Sequence, residues 1–117
     1  MVKQQQITRT PPQRKLVITQ IFRDNLDSIA ENGATTFGER VSSTFVEKVV
    51  SKIAFLSKMS DINPKSRFIE STQHKTYRNI LIEKYVVLYS VTSRTIRIIN
   101  IYHQHINPVS ISKMKNL

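Results

Sequence analysis

Three β-prone segments near the C-terminal end of this 117-residue chain follow one another with only two residues between them. The segments span residues 76–82, 85–92 and 95–103, and the connections are Glu83-Lys84 and Ser93-Arg94. Parallel neighbours need a crossover of about a dozen residues or more, so connections this short permit only antiparallel strands. The spacing therefore predicts a three-stranded antiparallel meander, although neither connection holds the glycine or asparagine that tight hairpins favour.

Two helices are predicted before the meander, because apolar residues recur there every three or four positions. The first helix spans residues 22–31, and Asn32-Gly33 is predicted to end it. Thr36 and Glu39 fit a capping box at the start of a second, longer helix. We expect the apolar stripe of that helix to be core. The stripe consists of Phe37, Val41, Phe45, Val49, Ile53 and Leu56.

The remaining predicted strand spans residues 15–22, which are β-prone and apolar on both faces. The order strand, helix, helix and three strands predicts an α+β fold, in which two helices pack on one face of a small, mainly antiparallel twisted sheet. We expect the other face of the sheet to stay open. Residues 14–108 are predicted to form a single domain, preceded by a flexible basic segment at 1–13 and followed by a tail at 109–117.

Positive charge is concentrated in the second half of the chain. The formal net charge is +10, and residues 62–117 hold nine basic residues against only Glu70 and Glu83, which predicts an acidic or polyanionic partner.

The absence of cysteine excludes disulfides and thiolate zinc sites. No apolar run is long enough to cross a bilayer, so we expect a cytoplasmic protein with no membrane partner. With only two glycines and no phosphate-binding loop, no cofactor is expected.

Four tyrosines are interspersed with the basic residues of the meander region. On an open sheet face, such a mixture of cations and aromatic rings is the one that nucleic-acid binding uses. Strand alternation places Tyr85 and Tyr89 on one face, and that set could equally belong to the core. The four residues are Tyr77, Tyr85, Tyr89 and Tyr102.

A recognisable shape spans residues 77–91, where Arg78 opens a short strand and a turn leads to a second strand that carries Tyr85 and Tyr89. This hairpin resembles that of the RelE/ParE superfamily of bacterial toxins. Residues 95–108 resemble the last strand of that family and its basic terminal turn. The order of elements agrees with the family over residues 15–108.

The resemblance implies the toxin component of a type II toxin–antitoxin module, a class that includes plasmid stabilisation systems. Such a toxin inhibits bacterial growth in one of two ways. It cleaves mRNA on the ribosome as a metal-independent endoribonuclease, or it inhibits DNA gyrase and is then not an enzyme. The implied partners are a cognate antitoxin that neutralises the toxin and either the ribosome with its mRNA or gyrase. The implied assembly is a homodimer or a toxin–antitoxin hetero-oligomer.

Cleavage of RNA through its 2′-hydroxyl needs an acid, a base and cations around one phosphate. The resemblance makes Arg78 and His105 the candidate catalytic residues. No metal site is expected, because no carboxylate cluster accompanies the histidines. The candidates for contacts to RNA or to another target are Lys65, Arg67, Lys75, Lys84, Arg97 and His103.

Two departures from the nuclease pattern leave the mechanism open. Val86 stands where the nucleases usually carry a catalytic arginine, and no tyrosine follows Tyr102. The pair Tyr85-Val86 is closer to the gyrase-inhibiting branch, although residues 103–106 depart from the paired arginines common there. The alternative hypothesis is a non-catalytic basic module with a degenerate toxin fold that binds RNA or a protein.

Overall fold

The computed structural model describes residues 14–114 and residue 117. The predicted flexible segment 1–13 lies outside the described residues. The predicted order of strand, two helices and three strands is confirmed, and a short third helix follows. The elements are β1 (Lys15–Ile18), α1 (Gln20–Phe37), α2 (Glu39–Phe55), β2 (Thr76–Ile82), β3 (Tyr85–Val91), β4 (Thr95–His103) and α3 (Pro108–Ser112).

The four strands form one sheet in the order β1-β4-β3-β2. The meander is antiparallel as predicted, and β1 joins its β4 edge in parallel, with Leu16 paired to Ile96. The register shifts between Leu88 and Tyr89, which leaves Ile99 of β4 as an extra residue. The predicted α+β architecture, with both long helices on one face of a mainly antiparallel sheet, is confirmed.

The predicted break between the two helices is wrong. Helix α1 continues through Asn32-Gly33 and ends at Gly38, whose φ of 98° only glycine adopts readily. Thr36 therefore lies inside α1 and caps nothing. Gly33 lies where α1 packs closely against α2. A Cβ atom at this position would lie 3.5 Å from the hydroxyl oxygen of Ser42 in α2. The Ser42 hydroxyl also donates to the Ala30 carbonyl of α1 at 2.6 Å.

The helices and one sheet face enclose the main core. The sheet contributes Tyr89 to this core, where the side chain is fully buried. Tyr85 is partly buried and packs against the same core. These two tyrosines are therefore core residues, and they do not lie on an open binding surface. The buried members are Phe22, Phe45, Val49, Ile53, Leu56, Ile80, Ile82, Val87, Tyr89, Val91, Ile96, Ile98 and Ile101.

The other face of the sheet does not stay open as expected. Large side chains of the sheet there are covered by Ile69 from the loop before β2 and by Ile111 of α3. Removing such apolar surface from water is worth about 25 cal/mol per Å², which favours this second layer. Its buried members are Ile69, Tyr77, Leu88, Ile99, Tyr102 and Ile111. In residues 14–114, no helix combines the length and apolar character needed to cross a bilayer.

The backbone conformation of Glu83, in the two-residue turn between β2 and β3, leads us to expect that one substitution there stabilises the fold. Glu83 has a φ of 56°, a left-handed conformation that costs most L-residues about 1 kcal/mol or more and that asparagine tolerates better. Its ion pair with Lys48, at 2.9 Å, is half-exposed and worth about 0–1 kcal/mol. Glu83→Asn is expected to raise the free energy of unfolding by about 0.5 kcal/mol in urea denaturation, because strain relief exceeds the lost pair.

The control is Lys48→Met, which removes the ion pair and keeps the strained backbone. It is expected to lower the free energy of unfolding by at most about 0.5 kcal/mol. A clear loss of stability in Glu83→Asn would mean that the backbone at residue 83 is not under strain.

Candidate anion-binding cleft

A cleft of about 490 Å³ runs along the β2 edge of the sheet, between the 56–75 loop and α3. We call it the β2 cleft. Three cationic side chains, three amides and an apolar floor line it, and none of its lining residues in the described part of the chain is an aspartate or a glutamate. These residues include Lys52, Lys65, Arg67, Asn63, Asn79, Gln104, Val86, Tyr102 and Ile111.

The cations of the β2 cleft are free to meet a ligand. Lys52, Lys65 and Arg67 are all exposed. The one ion pair among the described residues joins Lys48 to Glu83, outside the cleft. Unpaired cations over a partly apolar floor create a positive potential that attracts anionic groups.

Backbone hydrogen bonds hold the basic loop against β2. The Ser66 amide donates to the Tyr77 carbonyl at 2.8 Å, and the Asn79 amide donates to the Pro64 carbonyl at 2.9 Å. Lys65 lies between these two bonds and forms an isolated antiparallel bridge with Arg78. This pairing fixes the cationic segment along an otherwise free strand edge.

One polar atom beside the β2 cleft is unsatisfied. The side-chain oxygen of Asn79 is buried and has no hydrogen-bond partner within the described residues. Buried polar atoms without partners are rare, so each calls for an explanation. The Asn79 side chain lines the cleft, but the oxygen itself is buried beneath its surface, and Nε of the neighbouring Arg78 is likewise buried without a partner among the described residues.

Tyr89 anchors the start of the same loop from inside the core. Its hydroxyl donates to the Ser60 carbonyl at 2.8 Å and accepts from the Asn63 side-chain amide at 3.1 Å. Burial raises the pKa of Tyr89, while the Asn63 hydrogen bond and the Arg78 charge act in the opposite direction. The neutral phenol is therefore the form that holds the loop.

Arg78, a candidate catalytic residue, takes part in this anchor. Its guanidinium donates to the Asn63 carbonyl at 2.6 Å. Strand alternation places it on the helix-covered face with Ile80 and Ile82, whereas Asn79 faces the β2 cleft. Arg78 is thus positioned to support the loop from behind the cleft.

His105, the other candidate, lies at the opposite end of the sheet. It is exposed, its ring lies 5.3 Å from that of His103, and its backbone amide donates to His103 Nδ1 at 3.1 Å. His103 is in register with Tyr85, whereas Arg78 is in register with Tyr89, four residues or roughly 13 Å further along β3. The structure does not bring Arg78 and His105 together. No group of three potential metal ligands occurs in residues 14–114.

The other predicted contact residues are spread over the molecule. Lys75 lies 5.9 Å from the Tyr77 ring and donates to the Leu117 backbone oxygen at 3.0 Å. Lys84 is exposed in the β2–β3 turn, and Arg97 is half-buried on β4, opposite Ser90. Of the predicted set, the structure places only Lys65 and Arg67 in the β2 cleft.

Sequence reasoning missed Lys52, Asn79 and Gln104 as lining residues of the cleft. Lys52 looks like any exposed cation of an amphipathic helix, and Gln104 lies in a turn. The sequence does give an indication for Asn79, because it is a polar residue just before the apolar run Ile80–Ile82 of a predicted strand. An amide at such a position has to find a partner or a ligand.

Comparisons with known proteins agree with the fold. A family model described as the ParE toxin of the type II toxin–antitoxin system parDE matches residues 16–108. The chain is similar to a structure titled a chromosomal ParDE TA system from P. aeruginosa, with a TM-score of 0.63, 16% identity, and coverage of 78% of this chain and 96% of that one. It is also similar to an archaeal RelE–RelB complex from Pyrococcus horikoshii OT3, with a TM-score of 0.59, 14% identity, and coverage of 81% and 99%. No match was found among curated proteins.

Proposed function

This chain belongs to the ParE toxin family of type II toxin–antitoxin systems, and we propose on that basis that it arrests bacterial growth by binding DNA gyrase in the cytoplasm. A cognate antitoxin neutralises it. The observation that carries the choice of mechanism is the separation of Arg78 from His105.

General acid–base cleavage needs its groups within hydrogen-bond reach of the same reacting atoms. The Arg78 guanidinium is bonded to the Asn63 carbonyl on the helix-covered side, and His105 is exposed beyond the end of β4. Val86, with its apolar side chain, lines the β2 cleft. These placements support binding as the mode of action more than cleavage of RNA.

The tyrosines support the same choice. Binding of single-stranded RNA depends on exposed aromatic rings on which bases stack. Tyr77 and Tyr102 are 7% and 8% exposed, Tyr89 is fully buried, and Tyr85 packs against the core. In the proposed complex, the cations of the β2 cleft meet an acidic patch of gyrase. The apolar floor of the cleft contributes contact area.

The test is induced expression of the chain in a bacterial host, with growth, plasmid supercoiling and incorporation of labelled amino acid followed together. We expect supercoiling of a reporter plasmid to change before incorporation falls. An early fall in incorporation with cleaved mRNA would contradict the proposal and support the nuclease mechanism. Normal growth with soluble, folded protein would contradict both and support the non-catalytic module.

A further inference from the structure

Part of the β2 edge, beside the β2 cleft, has unpaired backbone groups. The Tyr77 carbonyl and the Asn79 amide both bond the loop before β2, so the backbone groups of these two residues point away from β3. Backbone groups alternate between the two sides of a strand, so those of Leu81 also point outward. Within the described part of the chain, no hydrogen bond reaches the Asn79 carbonyl or the backbone of Leu81. The edge therefore presents two acceptors and one donor in a row.

The loop before β2 covers only the first part of this edge. Its pairing with β2 runs from Ser66 back to Pro64 and ends there, because proline has no amide with which to meet the Asn79 carbonyl. The preceding residue, Asn63, turns toward the helix-covered side, where its carbonyl and its side-chain amide both form hydrogen bonds. The loop thus begins an added edge strand and leaves the rest of the edge to another segment.

Apolar side chains next to the unpaired groups are exposed. Leu81 is 61% exposed and Phe68 is 44% exposed, and both line the β2 cleft. An extended segment that pairs with the edge places every second side chain on the cleft side of the sheet, against these residues. A helix bonds its own backbone groups internally and would leave those of Leu81 without partners. The geometry therefore favours an extended segment over a helical one.

Charge selects an acidic segment. Lys52, Lys65 and Arg67 are exposed around the cleft, and none of its lining residues in the described ranges is acidic. A second copy of the chain, paired edge to edge, would bring these cations beside their own copies and set two molecules of charge +10 against each other. Acidic side chains on an added segment gain from the same cations.

We propose that the β2 edge receives an extended acidic segment of gyrase as an added strand, which bonds the Asn79 carbonyl and the backbone of Leu81 and turns acidic side chains toward Lys65 and Arg67. This inference rests on the proposed function and adds the conformation of the bound segment and the backbone groups that hold it. It gives a role in binding to an uncharged backbone amide, so its test is separate from the charge of the cleft.

The experiment compares Leu81→Pro with Leu81→Ala in binding to purified gyrase. Proline is tolerated on an edge strand where its missing amide faces solvent, so the pairing of β2 with β3 is kept. Alanine keeps the outward amide and removes the same apolar contact, so the difference between the two variants isolates the hydrogen bond. In titration calorimetry the affinity is expected to fall about 30-fold for Leu81→Pro and about threefold for Leu81→Ala.

Leu16→Pro is the matched control at the opposite edge of the sheet. The amides of Lys15 and Thr19 bond toward β4, so the backbone groups of Leu16 also point outward. Its affinity for gyrase is expected to stay within about twofold of the wild type, because the β2 cleft is unchanged. An equal loss of affinity in Leu16→Pro and Leu81→Pro would overturn the inference, since both prolines would then act through the fold.

Hydrogen exchange supplies a measurement that needs no substitution and that decides alone if Leu81→Pro does not fold. In the complex of the wild-type chain with gyrase, the Leu81 amide is expected to exchange at least about tenfold more slowly than in the free chain. Equal affinities of Leu81→Pro and Leu81→Ala, or unchanged exchange at Leu81, would overturn the inference. Failure of the wild type to bind gyrase would contradict the proposed function instead.

Discussion

Replacement of both Lys65 and Arg67 by glutamate is expected to abolish growth arrest while the protein stays folded. Both side chains are exposed and line the β2 cleft, so the substitutions reverse its charge where the proposed target binds. Like-charge contacts in an interface cost several kcal/mol, and we expect the affinity for gyrase to fall on the order of 100-fold. The free energy of unfolding should change by no more than about 0.5 kcal/mol, because neither side chain is buried.

The matched control is the double variant Arg40→Glu with Lys58→Glu. It makes the same change in net charge at two exposed positions that do not line the β2 cleft. Growth curves after induction and binding to purified gyrase are the measurements. The control should arrest growth like the wild type. Growth arrest by the cleft variant would show that the cleft is not the contact surface, and loss of arrest in both variants would point to net charge alone.

Tyr89→Phe is expected to lower the free energy of unfolding by about 2 kcal/mol. The substitution removes the hydroxyl that bonds the Ser60 carbonyl and the Asn63 amide, and it leaves those groups without their partner. An unsatisfied buried polar group costs about 1–3 kcal/mol. Because these bonds anchor the loop that carries Lys65, amide exchange in residues 60–66 should become faster and growth arrest weaker.

Tyr102→Phe is the control for this prediction. Tyr102 is also buried, and its hydroxyl forms no hydrogen bond with the described part of the chain, so we expect a change of at most about 0.5 kcal/mol. Urea denaturation and hydrogen exchange make the comparison. Equal stability of the two variants would mean that the Tyr89 hydroxyl does not anchor the loop.

The strands of the meander could be predicted from the sequence almost to the residue. Two-residue connections leave little freedom, and the observed bounds of β2 and β4 are those predicted, while β3 ends one residue earlier, at Val91. Asn32-Gly33 predicts a helix end from the local sequence, but α1 ends at Gly38 instead. In the structure α1 continues to Phe37 and Gly33 packs against Ser42 of α2, a tertiary contact that the local sequence does not reveal.

The β2 cleft was predictable only in part. Lys65 and Arg67 stand out as cations in a segment without periodicity, and the structure places both in the cleft. Lys52 comes from α2, and no sequence pattern shows that its side chain reaches the same cleft as Asn79 of β2. Arg78 attracted a catalytic interpretation because its neighbours resemble a family motif. Its bond to the Asn63 carbonyl depends on where the loop crosses β2.

The most direct test of the gyrase mechanism is a titration of the purified chain into a gyrase supercoiling reaction, with a parallel reaction on ribosomes programmed with mRNA. We predict that supercoiling is inhibited as the chain approaches the gyrase concentration, that the Lys65→Glu/Arg67→Glu variant does not inhibit it, and that the mRNA stays intact. Undiminished supercoiling together with cleaved mRNA would contradict the account.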